Sequence, residues 1–319
     1  MITEMRELDG WSAYQEKVDA LYAAKGNADV AARYGDSRFV PEGIAIDSDG
    51  AVYLGSIHTG KLVKLGDEPE VLSDRDSHWS VFGMRFHADG SIWFASAAVP
   101  QLVDVGDDQG KTGLFRYDVT SGAITQAAIL PQHDEAQVLG DLVIADANTI
   151  HTTDSLTGAV YRYRLDANEF DALVERGELG SPQGLVLDES GDYLYVADHI
   201  GGVYRVSLPD GSLMKLDVAD GVTDYGIDGL YRYGGELVVI QNGVRPHRVS
   251  ALQLSDDGLA ISGSRVLASN LEDFDEPTLG LVRGDDFYFV ANSHWNRFDR
   301  ENHLPDGLSG PIILKLSLD

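Results

Sequence analysis

The 319-residue chain contains no cysteine. That removes disulfides, thiolate metal ligands, cysteine nucleophiles and thiol redox chemistry together, and it fits a cytoplasm or a periplasm equally well. Basic residues are scarce, 24 Lys and Arg against 52 Asp and Glu, for a formal net charge of -28. Phosphate backbones need clustered Lys and Arg, and anionic membranes repel acidic surfaces, so nucleic-acid and membrane partners are not expected. No apolar run approaches the length of a membrane span. The start, MITEMRELDGW, has neither a basic nor an apolar leader segment. The expectation is a soluble protein, cytoplasmic, or periplasmic if a leader has been trimmed. No Gly-rich phosphate loop opens a helix, and neither a nucleophile-elbow G-x-S-x-G nor H-E-x-x-H occurs.

What the chain does have is a repeat. "FVPEGIAIDSDGAVYLGS" from Phe39 is matched by "FGMRFHADGSIWFAS" from Phe82, "GDLVIADANTIHTTDS" from Gly140 and "QGLVLDESGDYLYVADH" from Gln183. Looser copies are "DGLYRYGGELVVIQNG" from Asp228 and "LGLVRGDDFYFVANSH" from Leu279. Each reads as an apolar strand, a turn rich in Asp, Asn or Gly, and a second strand, the form of a β-hairpin. Third strands follow, such as "GLFRYDV" from Gly113 and "GGVYRVSL" from Gly201. The copies start about 40 to 58 residues apart, the spacing of four-stranded propeller blades. Six copies predict an all-β, six-bladed β-propeller over residues 37–319.

The sixth copy ends at the C-terminus without an outer strand, and "DSRFV" (Asp36 to Val40) is the segment expected to supply it. Ahead of it, residues 1–36 are expected to form a short helical extension packed on the propeller. Tyr14, Val18, Leu21 and Tyr22 stand there at helical spacing.

First strands line a propeller's channel and start at one face. The residue before the aligned glycine therefore points to a common axis. Those positions hold Glu42, Phe82, Gly140, Gln183, Asp228 and Leu279, with Asp141 in the glycine's place in blade three. Two carboxylates brought together raise one another's pKa, and a hard cation relieves the repulsion. Carboxylate and amide oxygens suit Ca²⁺ or Mg²⁺, and Zn²⁺ or Mn²⁺ also accept them. Taken singly, each acid also fits a structural role, accepting backbone N–H groups of a neighbouring loop. Strand parity adds His58, Asp154, His199, Asn242, His294 and Trp295 to the same mouth, and the blade connections add His78, Trp79 and His133 to Glu135. Of these, His58, Trp79, His199, Asn242, His294 and Trp295, together with Asp141, are the substrate-binding candidates, for a polar small molecule with an apolar face.

Pro41-Glu42-Gly43, Ser181-Pro182-Gln183-Gly184 followed by "LYVAD", and Ile227-Asp228-Gly229 resemble the senescence-marker-protein/gluconolactonase-like group. These six-bladed propellers are related to paraoxonases and strictosidine-synthase-like proteins, and the resemblance covers roughly residues 39 to 317. It implies one divalent cation, usually calcium, held by Glu42, Gln183 and Asp228, with Asp228 also placed as general base. It further implies hydrolysis of a lactone or related cyclic ester. Gln183 stands where the group has Asn, and Gly140-Asp141 where it often has Asn-Asp. Two rivals remain open: a non-catalytic propeller that binds a ligand or partner around a structural ion, and a carbon–nitrogen bond-forming enzyme, which would need a channel Glu independent of any metal.

Overall fold

The computed structural model describes residues 10–319. Its strands form six sheets around a central channel. The inner strands of the six blades are Pro41–Ile46, Ser80–Phe86, Leu139–Asp146, Pro182–Leu187, Ile227–Tyr233 and Gly280–Arg283. Blades one to four each run outward through four consecutive antiparallel strands. Blade five carries an extra two-residue strand, Asp217–Val218, paired in parallel with its outer strand Ala260–Ser269. The described residues thus bear out the expected six-bladed propeller.

Burial falls from axis to rim. The second strands Val52–Ser56 and Ile92–Ala97 are buried throughout, whereas the outer strand Glu70–Ser73 is open to solvent. The second strands read as continuous apolar runs because blades cover both of their faces. Between blades two and three the core is aromatic, with Trp93 and Tyr163 in contact and both fully buried.

The ring closes with Asp29–Arg33, which pairs antiparallel with Ile312–Ser317 of blade six. This corrects the expectation that Asp36 to Val40 supplies that strand. Phe39 and Val40 instead plunge into the core ahead of blade one. The sixth sheet therefore draws on residues upstream of 37, where the propeller was expected to begin. Residues 1–9 of the expected extension lie outside the described residues; its described part holds one helix, α1 (Trp11–Tyr22), with no buried residue. Tyr14, Leu21 and Tyr22 are exposed, so the helix lies on the propeller's outside rather than packing an apolar face against it. No described helix is long and apolar enough to cross a membrane.

The glycine that recurs at one phase has a packing cause. A Cβ on Gly43 would stand 2.0 Å from the Phe82 carbonyl oxygen of the next blade. On Gly83 it would stand 2.7 Å from the Asp141 Cα, and on Gly184 2.4 Å from the Leu230 nitrogen. Inner strands of neighbouring blades touch at these points, and only glycine admits the approach.

Candidate functional site

In five of the six blades the inner-strand pairing slips at the same place. The irregularities fall between Pro41 and Ile44, Val81 and Met84, Leu139 and Leu142, Pro182 and Leu185, and Ile227 and Gly229. A bulge leaves its residue out of the ladder and re-aims the side chain. Here the re-aimed positions include Glu42, Phe82, Gly140, Gln183 and Asp228. All five, with Leu279 of blade six, line one cavity of about 590 Å³.

Glu42 is 7% exposed, and its Oε2 accepts a hydrogen bond from Trp295 Nε1 at 2.7 Å. Burial pushes its carboxyl well above the usual range, and the Asp228 charge adds to the rise. Asp228 Oδ2 accepts from Asn242 Nδ2 at 2.6 Å. Burial raises Asp228 to about 7, a rise the Asn242 bond restrains and the Asp141 charge assists. The Asn242 oxygen lies 3.3 Å from His199 Nε2, so an N–H there fixes which way the amide faces. Gly243 makes room for that ring, since a Cβ would come within 2.5 Å of His199 Cε1.

Gln183 donates from Nε2 to Ser181 Oγ at 3.0 Å. Its Oε1 faces the space above Gly140, 3.8 Å from where a Cβ would stand.

Asp141 is buried and paired with Arg85 Nη2 at 3.1 Å, while its Oδ1 accepts the Leu142 N–H at 2.8 Å. Burial pushes its carboxyl up and the Arg85 guanidinium offsets part of that. Arg85 also lies over the Tyr231 ring, 5.7 Å from its centroid. The ion pair stands beside the cavity and neutralises Asp141.

His199, Asn242, Asp141 and Trp295 join the expected ligands in the cavity lining. Three other candidates do not. His58 is tied by Nδ1 to the Gln101 carbonyl at 2.6 Å and by Nε2 to Arg38 at 2.9 Å. His294 lies between Asp275 Oδ2 and the Ser309 carbonyl, at 3.0 and 3.1 Å. Trp79, with His78, lines a separate cavity of about 390 Å³ and donates to Asp108. Buried loop polar groups must find partners, and these rings serve the loops rather than the channel. Asp154 likewise serves the loops, accepting the Val138 N–H at 3.0 Å and the Thr157 hydroxyl at 2.7 Å.

One carboxylate in the cavity lies outside the repeat phase. Glu276 precedes the inner strand of blade six with its backbone in the left-handed region, φ 65°. Its Oε2 accepts the Asn296 N–H at 2.6 Å, and burial raises its pKa, helped by the Asp228 charge. The 3-10 turn Trp295–Arg297 therefore grips two carboxylates, Glu42 through Trp295 and Glu276 through Asn296.

Among the described residues no three His, Cys, Asp or Glu side chains form a ready cage for a metal. The donor chemistry of Glu42, Gln183 and Asp228 nevertheless suits a hard cation. Each offers an oxygen engaged by no protein donor described above, and the two acids hold raised pKa values that a positive charge would relieve.

The family model described as strictosidine synthase-like, N-terminal, matches residues 35–65, a span that includes Glu42. No curated protein matches the sequence. Among solved structures, the PQQ-bound aldose sugar dehydrogenase of Streptomyces coelicolor superposes with a TM-score of 0.61 at 12% identity, covering 92% of this chain and 98% of that one. A proposed gluconolactonase gives 0.60 at 15% identity, covering 92% of each chain. Virginiamycin B lyase from Staphylococcus aureus gives 0.58 at 11%, covering 91% of this chain and 99% of the other. At such identities the likeness establishes the propeller fold, and it agrees with the resemblance to lactonase-like propellers.

Proposed function

We propose that the chain hydrolyses a lactone or related cyclic ester at the channel mouth, with a divalent cation, calcium the best match, held by Glu42, Gln183 and Asp228. The observation that carries this reading is the convergence of those three oxygens, from three bulged strands, on one cavity. Bound there, the cation would polarise the ester carbonyl and stabilise the charge that develops on its oxygen.

The chain's own groups do the rest. Trp295 fixes Glu42 by one oxygen and leaves the other toward the cavity. Asn242, oriented by His199, fixes Asp228 in the same manner. With Oδ2 so held, Asp228 Oδ1 is the acceptor for a proton of the attacking water. Water oxygen bonds to the carbonyl carbon, the ring C–O bond breaks, and the proton passes from Asp228 to the departing ring oxygen. With a cation beside it Asp228 would be ionised, and so able to take this proton. Phe82, Val99 and Val138 wall the cavity against bulk water.

One observation favours the rival, a ligand-binding propeller without turnover: His58 and His294, two of three histidines expected to orient substrate, are engaged elsewhere. A lactone screen on calcium-loaded protein, wild type beside Asp228→Ala, decides between them. Hydrolysis lost in the variant and on chelation, with the fold intact, supports the enzyme. Full activity in Asp228→Ala sinks the mechanism.

A further inference from the structure

The cavity has a chemical bias that the lactonase reading does not specify. Among the described residues no Lys or Arg lines it, so apart from the proposed cation, which the ester carbonyl occupies, no positive side chain there meets a carboxylate or phosphate on the substrate. Its wall is apolar: Phe82, Val99, Val138 and Leu279 are buried in the protein yet face the cavity. The wall amides are largely spoken for. Gln101 donates to Asn302 at 2.9 Å, and Gln137 is held between the Pro131 carbonyl and Arg176. The free oxygens gather at the floor, on Glu42, Gln183 and Asp228, so hydroxyls lying against Phe82, Val99 and Val138 would lose water without gaining a partner from those side chains.

At the mouth the apolar surface continues outward. Leu156 lines the cavity yet is 57% exposed, and Ile200, on the next blade's loop, is 65% exposed. The two loops are joined. The Gly177 N–H donates to the Thr157 carbonyl at 2.8 Å, Leu179 donates to Gly158, and the Ile200 side chain rests against Gly180. Leu156 and Ile200 thus stand on loops of blades three and four that both touch the segment Gly177 to Gly180. A volume of about 590 Å³ lies in the range that takes drug-sized ligands rather than a bare ring.

We propose that the substrate is an uncharged cyclic ester carrying an apolar substituent, which lies against Phe82, Val99 and Val138 and leaves past Leu156 toward Ile200. This rests on the lactonase reading for the ester. The apolar track itself is independent of turnover, and the test separates the two.

The probe series is γ-lactams bearing straight alkyl tails of increasing length, which resist hydrolysis, titrated into calcium-loaded protein by calorimetry. Affinity rises about two- to fourfold per added methylene and levels off once the tail clears Leu156. A carboxylate at the tail's end lowers affinity at least tenfold. In Leu156→Ser and Ile200→Ser, both at exposed positions, the long-tail to methyl affinity ratio falls about fivefold. The matching alkyl γ-lactones, run as substrates against glucono-δ-lactone, are the favoured ones by kcat/KM. Affinity flat along the series, a carboxylate tail preferred, or glucono-δ-lactone preferred as substrate each overturns the proposal. Tail-dependent lactam binding without any lactone hydrolysis supports the apolar track and overturns the hydrolase reading alone.

Discussion

Trp295 and Glu42, 253 positions apart, meet where the indole Nε1 donates to the Glu42 Oε2 at 2.7 Å. The bond ties the loop that follows the second strand of blade six to the inner strand of blade one. It also lowers the Glu42 pKa against the larger effect of burial. Trp295→Phe keeps the ring and removes the donor. The expected cost is about 1–3 kcal/mol of stability in denaturant titration, from a buried carboxylate left short of one partner. Calcium binding followed against pH should also shift to higher pH in the variant, because Glu42 then holds its proton more firmly.

Asp228 gives the stability a pH dependence of known sign. Its folded pKa, about 7, stands above the ordinary 3.8, chiefly through burial. Between those values the folded chain keeps a proton that the unfolded chain has released. The stabilisation is therefore full below about pH 4 and is lost as the pH climbs through about 7. Glu42, raised by the same cause, adds in the same direction. In chelator, the melting temperature should be lower at pH 8 than at pH 5.5, and the difference should shrink in Asp228→Asn. An unchanged difference in that variant would show that other groups set the slope. Calcium should raise the melting temperature more at pH 8 than at pH 5.5, since the acids must be ionised to bind it.

Asn242 restrains the Asp228 pKa through the 2.6 Å bond. In Asn242→Leu the acidic limb of the pH–rate profile should move to higher pH, and kcat should fall about tenfold or more. His199→Ala, which frees the Asn242 amide to turn, should lower kcat less and leave KM nearly unchanged. A fall confined to KM in both variants would return these residues to the substrate-binding role first expected of them.

Gly83→Ala tests the inter-blade approach. The added methyl would meet the Asp141 Cα at 2.7 Å and the Oδ1 at 2.2 Å, so backbone must move. A loss of about 3 kcal/mol or more in denaturant titration is expected. A neutral effect would mean that the inner strands of blades two and three can part without cost.

The six-bladed ring was legible because a glycine recurs at one phase in every blade but the third, and at Gly43, Gly83 and Gly184 neighbouring blades touch there. The residue before it was legible for the same reason, and all six such positions do line the cavity. The closing strand Asp29–Arg33 was not. It is a short edge strand, mostly exposed, and carries little apolar signal. Glu276 escaped notice because it lies in a loop outside the repeat phase, reaching the cavity through a left-handed turn that its sequence does not announce. His58, Trp79 and His294 were read by loop position alone. Which way a loop side chain turns depends on partners such as the Gln101 carbonyl, Asp108 and Asp275, which sequence spacing does not reveal.

The central claim is a cation bound by Glu42, Gln183 and Asp228. Its most direct test is calcium titration by calorimetry into chelator-stripped protein, wild type beside Asp228→Ala. The account predicts one calcium bound per chain in the wild type and loss of that binding in the variant. Equal binding by both proteins, or none by the wild type with calcium, zinc or manganese, would contradict it and leave Glu42 and Asp228 as structural acids.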